Sequence, residues 1–125
     1  MIESMEEIVE LSLLFDFYGE LLGEHKKRIF EDYVLNDLSL AEIAEEAGIS
    51  RQGVHDIIKR CTRQLREYEA SLHLAEKFRS AKERVSEIEA ILVETEKQLL
   101  TGEIRIACNG IAQAKRVTEQ LMTEL

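Results

Sequence analysis

The stretch from Ser39 to Arg60 constrains the fold more than any other part of the chain. Ser39 and Glu42 have the spacing of a capping box, in which each side chain binds a backbone amide at a helix start. Gly48 can end that helix, because glycine tolerates the left-handed backbone. Ser50 is a suitable N-cap for another helix directly afterwards. The stretch therefore predicts two helices joined by a very short turn.

The contact between these two helices fits one known motif. Helices that cross at a large angle over a short turn need a small residue where they touch, and Ala44 occupies that place. We predict a helix-turn-helix, with residues 40–46 as the supporting helix and the recognition helix starting at Arg51. The alternative is an ordinary helical hairpin that binds no nucleic acid, since a fold motif does not settle a function.

The rest of the chain also favours helix. Its 125 residues include no proline, and apolar residues recur at spacings of three and four. We predict an all-α fold, a helical bundle that contains the helix-turn-helix, followed by a long C-terminal helix and a final amphipathic helix. Residues 1–75 are expected to form the helix-turn-helix domain. Residues 76–125 are expected to form a helical extension that serves as a dimerisation or packing arm.

Glycines predict further helix boundaries. A first helix capped by Ser4 is expected to end at Gly23, and a second helix is expected from about residue 24 to residue 35. Gly110 is expected to interrupt the C-terminal region, which leaves a final amphipathic helix over residues 111–125.

A repeating apolar pattern predicts a helix-pairing seam in the extension. Apolar residues at alternating spacings of four and three suit pairing with another long helix. The seam residues are Phe78, Val85, Ile88, Leu92 and Leu99. We expect them to form a homodimer, and packing within the chain is the alternative.

The charge of the chain is unevenly distributed. Residues 1–50 carry a net charge of -10, residues 51–66 carry +4, and the remainder carries -3, for a total of -9. The overall acidity argues against a protein that coats nucleic acid or membranes indiscriminately. The basic window coincides with the predicted recognition helix. Its alternative interpretation is a solvated helix face whose bases pair with neighbouring acids.

The first turns of the recognition helix supply the candidate contacts to nucleic acid. Arginine can bind guanine, glutamine can bind adenine, and lysine mostly contacts phosphate. A serine at a helix N-terminus can also hold a phosphate. The candidates are Ser50, Arg51, Gln52, His55, Lys59, Arg60 and Arg63. We interpret Gly53 as an exposed position that allows close approach, or as relief of a clash with the supporting helix. Asp56 places a negative charge on this face.

Other chemistry is not indicated. The three histidines and two cysteines lack metal-ligand spacing, and no phosphate-binding loop or nucleophile motif occurs. We therefore expect no enzyme activity, no cofactor and no metal. Two cysteines fit a reducing cytoplasm. Membrane insertion is not expected, because no apolar run approaches the ~20 residues that span a bilayer.

Three blocks of the sequence, LFDFYGELL at residues 14–22, DLSLAEIAEE at 37–46 and ISRQGVHDIIKR at 49–60, stand at characteristic separations. With them, residues 11–78 resemble the bacterial YlxM family. The resemblance implies an all-helical cytoplasmic protein whose helix-turn-helix is similar to the promoter-reading domain of sigma factors. It also implies an accessory or regulatory role with the signal recognition particle. Family members commonly carry alanine and tyrosine where this chain has Gly53 and His55.

Three functions are therefore open at the level of sequence. The first is a non-enzymatic nucleic-acid-binding protein that acts with the signal recognition particle, with the particle's RNA, its GTPase or duplex DNA as partner. The second is a dimeric DNA-binding transcriptional regulator. The third is a protein adaptor that uses the helix-turn-helix as a scaffold, with its acidic first half against a basic partner.

Overall fold

The computed structural model describes residues 4–125, and in this range the chain folds into six α-helices without a strand. The helices are α1 (Met5–Tyr18), α2 (Glu24–Val34), α3 (Leu40–Ala47), α4 (Arg51–Leu72), α5 (Leu74–Leu100) and α6 (Ile104–Glu124). The all-α prediction is confirmed. The chain divides into two compact units, one ending at Ala75 and one comprising Glu76–Leu125, and each is described by itself. Within residues 4–125, every helix is too short or too polar to cross a bilayer.

Helix α4 is the central helix of the first unit and packs against α1, α2 and α3. Its core residues are Val54, Ile58, Cys61 and Leu65, each at most 2% exposed. Their spacings of four, three and four place them along one side of the helix, so the opposite side faces solvent. Burial raises the pKa of the Cys61 thiol. This division of α4 into a buried and a solvated side positions the candidate site.

The end of α1 differs from the prediction. The helix ends at Tyr18 and continues as a 3-10 turn over Gly19–Leu21, whereas Gly23 precedes the first residue of α2. A Cβ atom at Gly19 would lie 2.9 Å from Cε2 of the Phe15 ring, so this close contact needs glycine. The turn closes where the Leu22 amide donates to the Gly19 carbonyl at 3.1 Å. The predicted end at Gly23 is therefore wrong.

A polar network lies beside the end of α4. The Tyr18 hydroxyl donates to Glu69 Oε1 at 2.7 Å and accepts from the Leu74 amide at 3.1 Å. The same carboxylate oxygen accepts from the Ala75 amide at 3.0 Å. Burial raises the pKa of Tyr18, and its hydrogen bond to Glu69 raises the pKa further. The network thus satisfies two amides that follow the left-handed residue His73, whose φ is 56°.

The second unit is an antiparallel hairpin of α5 and α6. Gly102, with φ of 80°, lies in the turn between them. At the far end of the hairpin, Arg84 Nη2 donates to Glu124 Oε1 at 3.1 Å. This contact raises the pKa of Arg84 and lowers that of Glu124. Ala114 and Val117 of α6 are buried.

Helix α6 runs without interruption through Gly110, so the predicted break there is wrong. Gly110 faces the buried Thr95 of α5, and a Cβ atom at Gly110 would collide with Thr95 Oγ1. The glycine is therefore a packing residue that lets the two helices approach closely. The Thr95 hydroxyl donates to the Ile91 carbonyl at 2.7 Å, which satisfies the buried oxygen.

The predicted seam of α5 lies beside its contact with α6. Val85, Leu92 and Leu99 are 54%, 52% and 52% exposed, and Phe78 is 46% exposed. Ile88 is half-buried. Pairing of this seam in a homodimer stays a prediction.

Candidate nucleic-acid interface

Helix α3 begins and ends as the sequence predicts. Ser39 Oγ accepts from the Glu42 amide at 3.2 Å, and the Glu42 carboxylate accepts from the Ser39 amide at 3.3 Å, which completes the capping box. Gly48 has φ of 70°, and its amide donates to the Ala44 carbonyl. The left-handed residue ends the supporting helix and turns the chain toward α4.

Helix α4 begins at the predicted cap. Ser50 Oγ accepts from the Gly53 amide at 3.0 Å. Gly53 is half-buried rather than exposed. A Cβ atom there would lie 3.2 Å from Ser50 Oγ and 3.6 Å from Ile49 Cδ1, both in the turn rather than in the supporting helix. The interpretation of Gly53 as relief of a clash with the supporting helix is therefore wrong, because the nearest atoms belong to the cap and the turn, while close approach of a partner at Gly53 stays a prediction.

The solvated side of α4 brings five polar side chains together. Gln52, His55, Asp56, Lys59 and Arg63 fall within an arc of about 100° at 3.6 residues per turn. The arc lies opposite the core residues of the helix. His55 is half-buried, and the other four are exposed. We call this arc the outer face of α4.

Two further candidates flank the outer face. Arg51 and Arg60 lie about 40° beyond its two edges, and both are exposed. Within residues 4–125, the side chains of Arg51, Lys59, Arg60 and Arg63 form no ion pair with an acid. Four cations are therefore available to a polyanion on or beside this face.

Arg66, the last base of the basic window, is already occupied. Its Nη2 lies 3.3 Å from Glu7 Oε1, and its Nε lies 3.4 Å from Glu10 Oε1, both on α1. The two acids are more than fifty residues away in the sequence, so no local pattern predicts the contact. We call this contact the Arg66 clamp.

Asp56 has a structural partner that sequence reasoning missed. Gln52 Nε2 donates to Asp56 Oδ1 at 3.0 Å, so the carboxylate fixes the orientation of the glutamine amide. Their spacing of four residues on a helix is the available signal for this pair. His55 Nδ1 lies 3.6 Å from the same oxygen, beyond hydrogen-bond distance, and is a buried nitrogen without a hydrogen-bond partner among the described residues.

An open groove of about 960 Å³ runs between α4 and α1 and adjoins the outer face. Lys59 and Arg63 line its α4 side, while Glu7 and Leu11 line its α1 side. The α1 side carries acid and apolar groups. The basic side chains of this groove therefore all lie on its α4 side.

Comparison with known proteins identifies the family. Residues 5–103 match the sequence model of UPF0122, the YlxM / p13-like helix-turn-helix proteins. The chain belongs to the UPF0122 family. Its relatives include the UPF0122 protein of Clostridium kluyveri, 51% identical over 79 residues, or 63% of this chain and 71% of the relative. The UPF0122 protein of Shouchella clausii is 37% identical over 107 residues, or 86% of this chain and 92% of the relative.

Family membership confirms the predicted resemblance to YlxM proteins and the helix-turn-helix. The UPF0122 match extends from residue 5 to residue 103, which is further than the similarity read from the sequence blocks. It spans α1 through α5 and ends just before α6. UPF0122 is described as a helix-turn-helix family and not as an enzyme family.

Proposed function

We propose that this UPF0122 protein binds nucleic acid through the outer face of α4 and acts as a cytoplasmic binding protein rather than a catalyst. One observation carries the proposal. The recognition helix of a helix-turn-helix presents Gln52, Lys59 and Arg63 on one solvated face, with Arg51 and Arg60 beside it and no acid paired to the four cations within residues 4–125.

The side chains have distinct roles in this proposal. Lys59, Arg60 and Arg63 contact phosphates, which gives affinity without sequence information. Arg51 and Gln52 lie in the first turn of the recognition helix and approach base edges in the groove. Ser50, at the N-terminus of the helix, adds a hydroxyl to a phosphate contact. With three phosphates neutralised by Lys59, Arg60 and Arg63, the logarithm of the binding constant should fall with the logarithm of salt concentration at a slope of about -2.7.

Two targets follow from different observations. The YlxM resemblance supports the RNA of the signal recognition particle, with its GTPase as a further partner. The geometry of α4 supports duplex DNA, because the B-form major groove admits an α-helix, whereas the A-form major groove is too narrow and deep for side chains to read.

The experiment measures fluorescence anisotropy with labelled signal recognition particle RNA and with a mixed-sequence DNA duplex at rising salt. The full chain should bind with the steep slope given above. The triple variant Arg51→Ala, Lys59→Ala, Arg63→Ala should bind at least about 100-fold more weakly, with a slope near -1, since one cation remains. The target with the higher affinity at the same salt identifies the class of nucleic acid.

A second triple variant controls for net charge. Arg79→Ala, Lys97→Ala, Arg105→Ala removes three exposed bases outside α4 and should keep the affinity within about threefold of the parent. Equal losses in both triple variants would contradict a role for the outer face. Binding of neither nucleic acid by the parent would leave the adaptor function, in which the acidic residues 1–50 meet a basic protein.

A further inference from the structure

The α5–α6 hairpin exposes a broad apolar surface. On one side of the hairpin, apolar side chains of both helices are between 46% and 71% exposed. We call this surface the hairpin face, and its residues are Val85, Leu92, Leu99, Ile104, Ile111 and Met122. The set extends the predicted α5 seam with residues of α6 that the periodicity of α5 does not reveal.

Helical geometry brings the residues of both helices to the same side. Viewed from the N-terminus of α5, Val85 lies about 60° clockwise of Ile88, which is half-buried beside the contact with α6. Viewed from the N-terminus of α6, Ile111 lies about 60° clockwise of the buried Ala114. Because the helices are antiparallel, equal clockwise rotation on each turns both exposed sets toward the same side of the hairpin.

The opposite side of the hairpin has a different character. It carries an open groove whose lining includes Ile91, Ile106, Gln98, Asn109 and Arg116. Polar and charged side chains interrupt the apolar residues there. The hairpin face, which Glu96 of α5 and Thr118 of α6 border, is the more apolar side of this unit.

The extent of the hairpin face matches a protein interface. Six side chains that are about half exposed leave on the order of 500 Å² of apolar surface, near the upper end of the roughly 300–600 Å² that the largest patch of a monomer provides. A standard interface buries about 800 Å² per partner. The hairpin face would supply about 500 Å² of that area, and polar residues at its rim would supply the rest.

We propose that the hairpin face binds the hairpin face of a second copy of this chain, which forms a four-helix bundle. Two antiparallel hairpins that pack face to face reproduce the layout of such a bundle, with apolar positions of all four helices inside. A self-complementary contact needs two-fold symmetry, and an axis parallel to the helices places α5 of one copy against α6 of the other. The proposal goes beyond nucleic-acid binding and does not depend on it.

Charge at the rim of the hairpin face favours a second copy as the occupant. Glu89 directly follows Ile88 on α5, and Lys115 directly follows Ala114 on α6. Each therefore lies about 100° around its helix from a position beside the helix contact, which is the outer edge of the face. The contact between Thr95 and Gly110 aligns the two antiparallel helices. Glu89 precedes Thr95 by six residues and Lys115 follows Gly110 by five, so Glu89 and Lys115 lie at nearly the same level along the hairpin axis. The two-fold axis therefore brings Glu89 of each copy opposite Lys115 of the other.

The first experiment measures the mass of the full chain by light scattering and sedimentation at tens of micromolar. The parent should have twice the chain mass of 14.4 kDa. Ile111→Asp should raise the dimer dissociation constant about 100-fold or more, because each dimer would bury two unpaired carboxylates. Ile106→Asp is the matched control, since Ile106 is 48% exposed against 46% for Ile111 but lies on the groove side.

A charge exchange tests the orientation of the two copies. Glu89→Lys and Lys115→Glu should each weaken the dimer several-fold, and the double variant should restore it. Within one hairpin the two residues lie on opposite outer edges, so restoration requires contact between copies. A monomeric parent, or equal effects of Ile111→Asp and Ile106→Asp in variants with parental far-ultraviolet circular dichroism, would overturn the proposal. A monomeric parent would indicate that another partner covers the hairpin face.

Discussion

Replacement of Tyr18 by phenylalanine removes one hydroxyl from the first unit and keeps the buried ring. The hydroxyl donates to the Glu69 carboxylate at 2.7 Å and accepts from the Leu74 amide at 3.1 Å. A hydrogen bond to a charged group contributes about 1.5–3 kcal/mol and a neutral one about 0.5–1.5 kcal/mol. Glu69 keeps its bond from the Ala75 amide. We expect Tyr18→Phe to lower the free energy of unfolding by about 2–3 kcal/mol.

Urea unfolding followed by tyrosine fluorescence measures this loss. The chain has no tryptophan, and its three tyrosines all lie in the first unit, so the signal reports that unit alone. Residues Tyr33 and Tyr68 keep the signal in the variant. With a slope of about 1–1.5 kcal/mol per molar urea for a unit of this size, the midpoint should fall by about 2 M.

The pH dependence gives a second measurement. Burial and the bond to Glu69 raise the pKa of Tyr18 above its ordinary value of 10.0, so the folded state holds this proton more tightly than the unfolded state. The stabilisation is complete below pH 10 and is lost as pH rises through the raised pKa. The stability difference between the parent and Tyr18→Phe should therefore shrink above pH 10.

Tyr68→Phe is the control. The Tyr68 hydroxyl accepts from Gln64 Nε2 at 2.9 Å within the same helix, and its ring lies 5.9 Å from that of Tyr18. This variant should lose less than about 1 kcal/mol. If Tyr18→Phe lost no more than Tyr68→Phe, the network at the end of α4 would not stabilise the unit.

Three glycine substitutions, one of them a control, test the turn and the hairpin. Gly48→Ala should cost about 1–2 kcal/mol because φ is 70° there, while Gly23→Ala, at the N-cap of α2 with φ of -62° and nothing within 4 Å, should cost less than about 1 kcal/mol. Equal costs in urea unfolding would argue against a left-handed residue 48. Gly110→Ala should cost the second unit about 1–3 kcal/mol through its collision with Thr95, and Thr95→Ala should recover part of that loss. Thermal unfolding by circular dichroism measures both, and strictly additive losses would contradict the contact.

Local chemistry predicted the helix-turn-helix because its boundaries depend on neighbouring residues. The Ser39 capping box, the left-handed Gly48 and the Ser50 cap each involve atoms within a few positions along the chain. The glycines at positions 19 and 110 show the limit of this reasoning. Each glycine is required because a side chain packs against it, Phe15 against Gly19 and Thr95 against Gly110. The sequence does not show which side chain packs against a given glycine.

The candidate site likewise has one part that the sequence predicts and one part that only tertiary packing determines. The outer face of α4 follows from the helical repeat, so the sequence places Gln52, Lys59 and Arg63 together. The sequence also counts Arg66 as an available base. Its pairing with α1 depends on how two helices distant in sequence pack, and no residue near Arg66 signals it.

In the proposed function, the Arg66 clamp limits how much of a nucleic acid α4 can follow. The available cations extend from Arg51 to Arg63, which is about 18 Å along the helix axis, or about five base-pair steps of B-form DNA. Loss of the acids at Glu7 and Glu10 would add another turn of positive charge without altering any residue of the outer face. In the proposed function, α1 therefore sets the length of the binding footprint, and a change in that helix alone would change the number of phosphates bound.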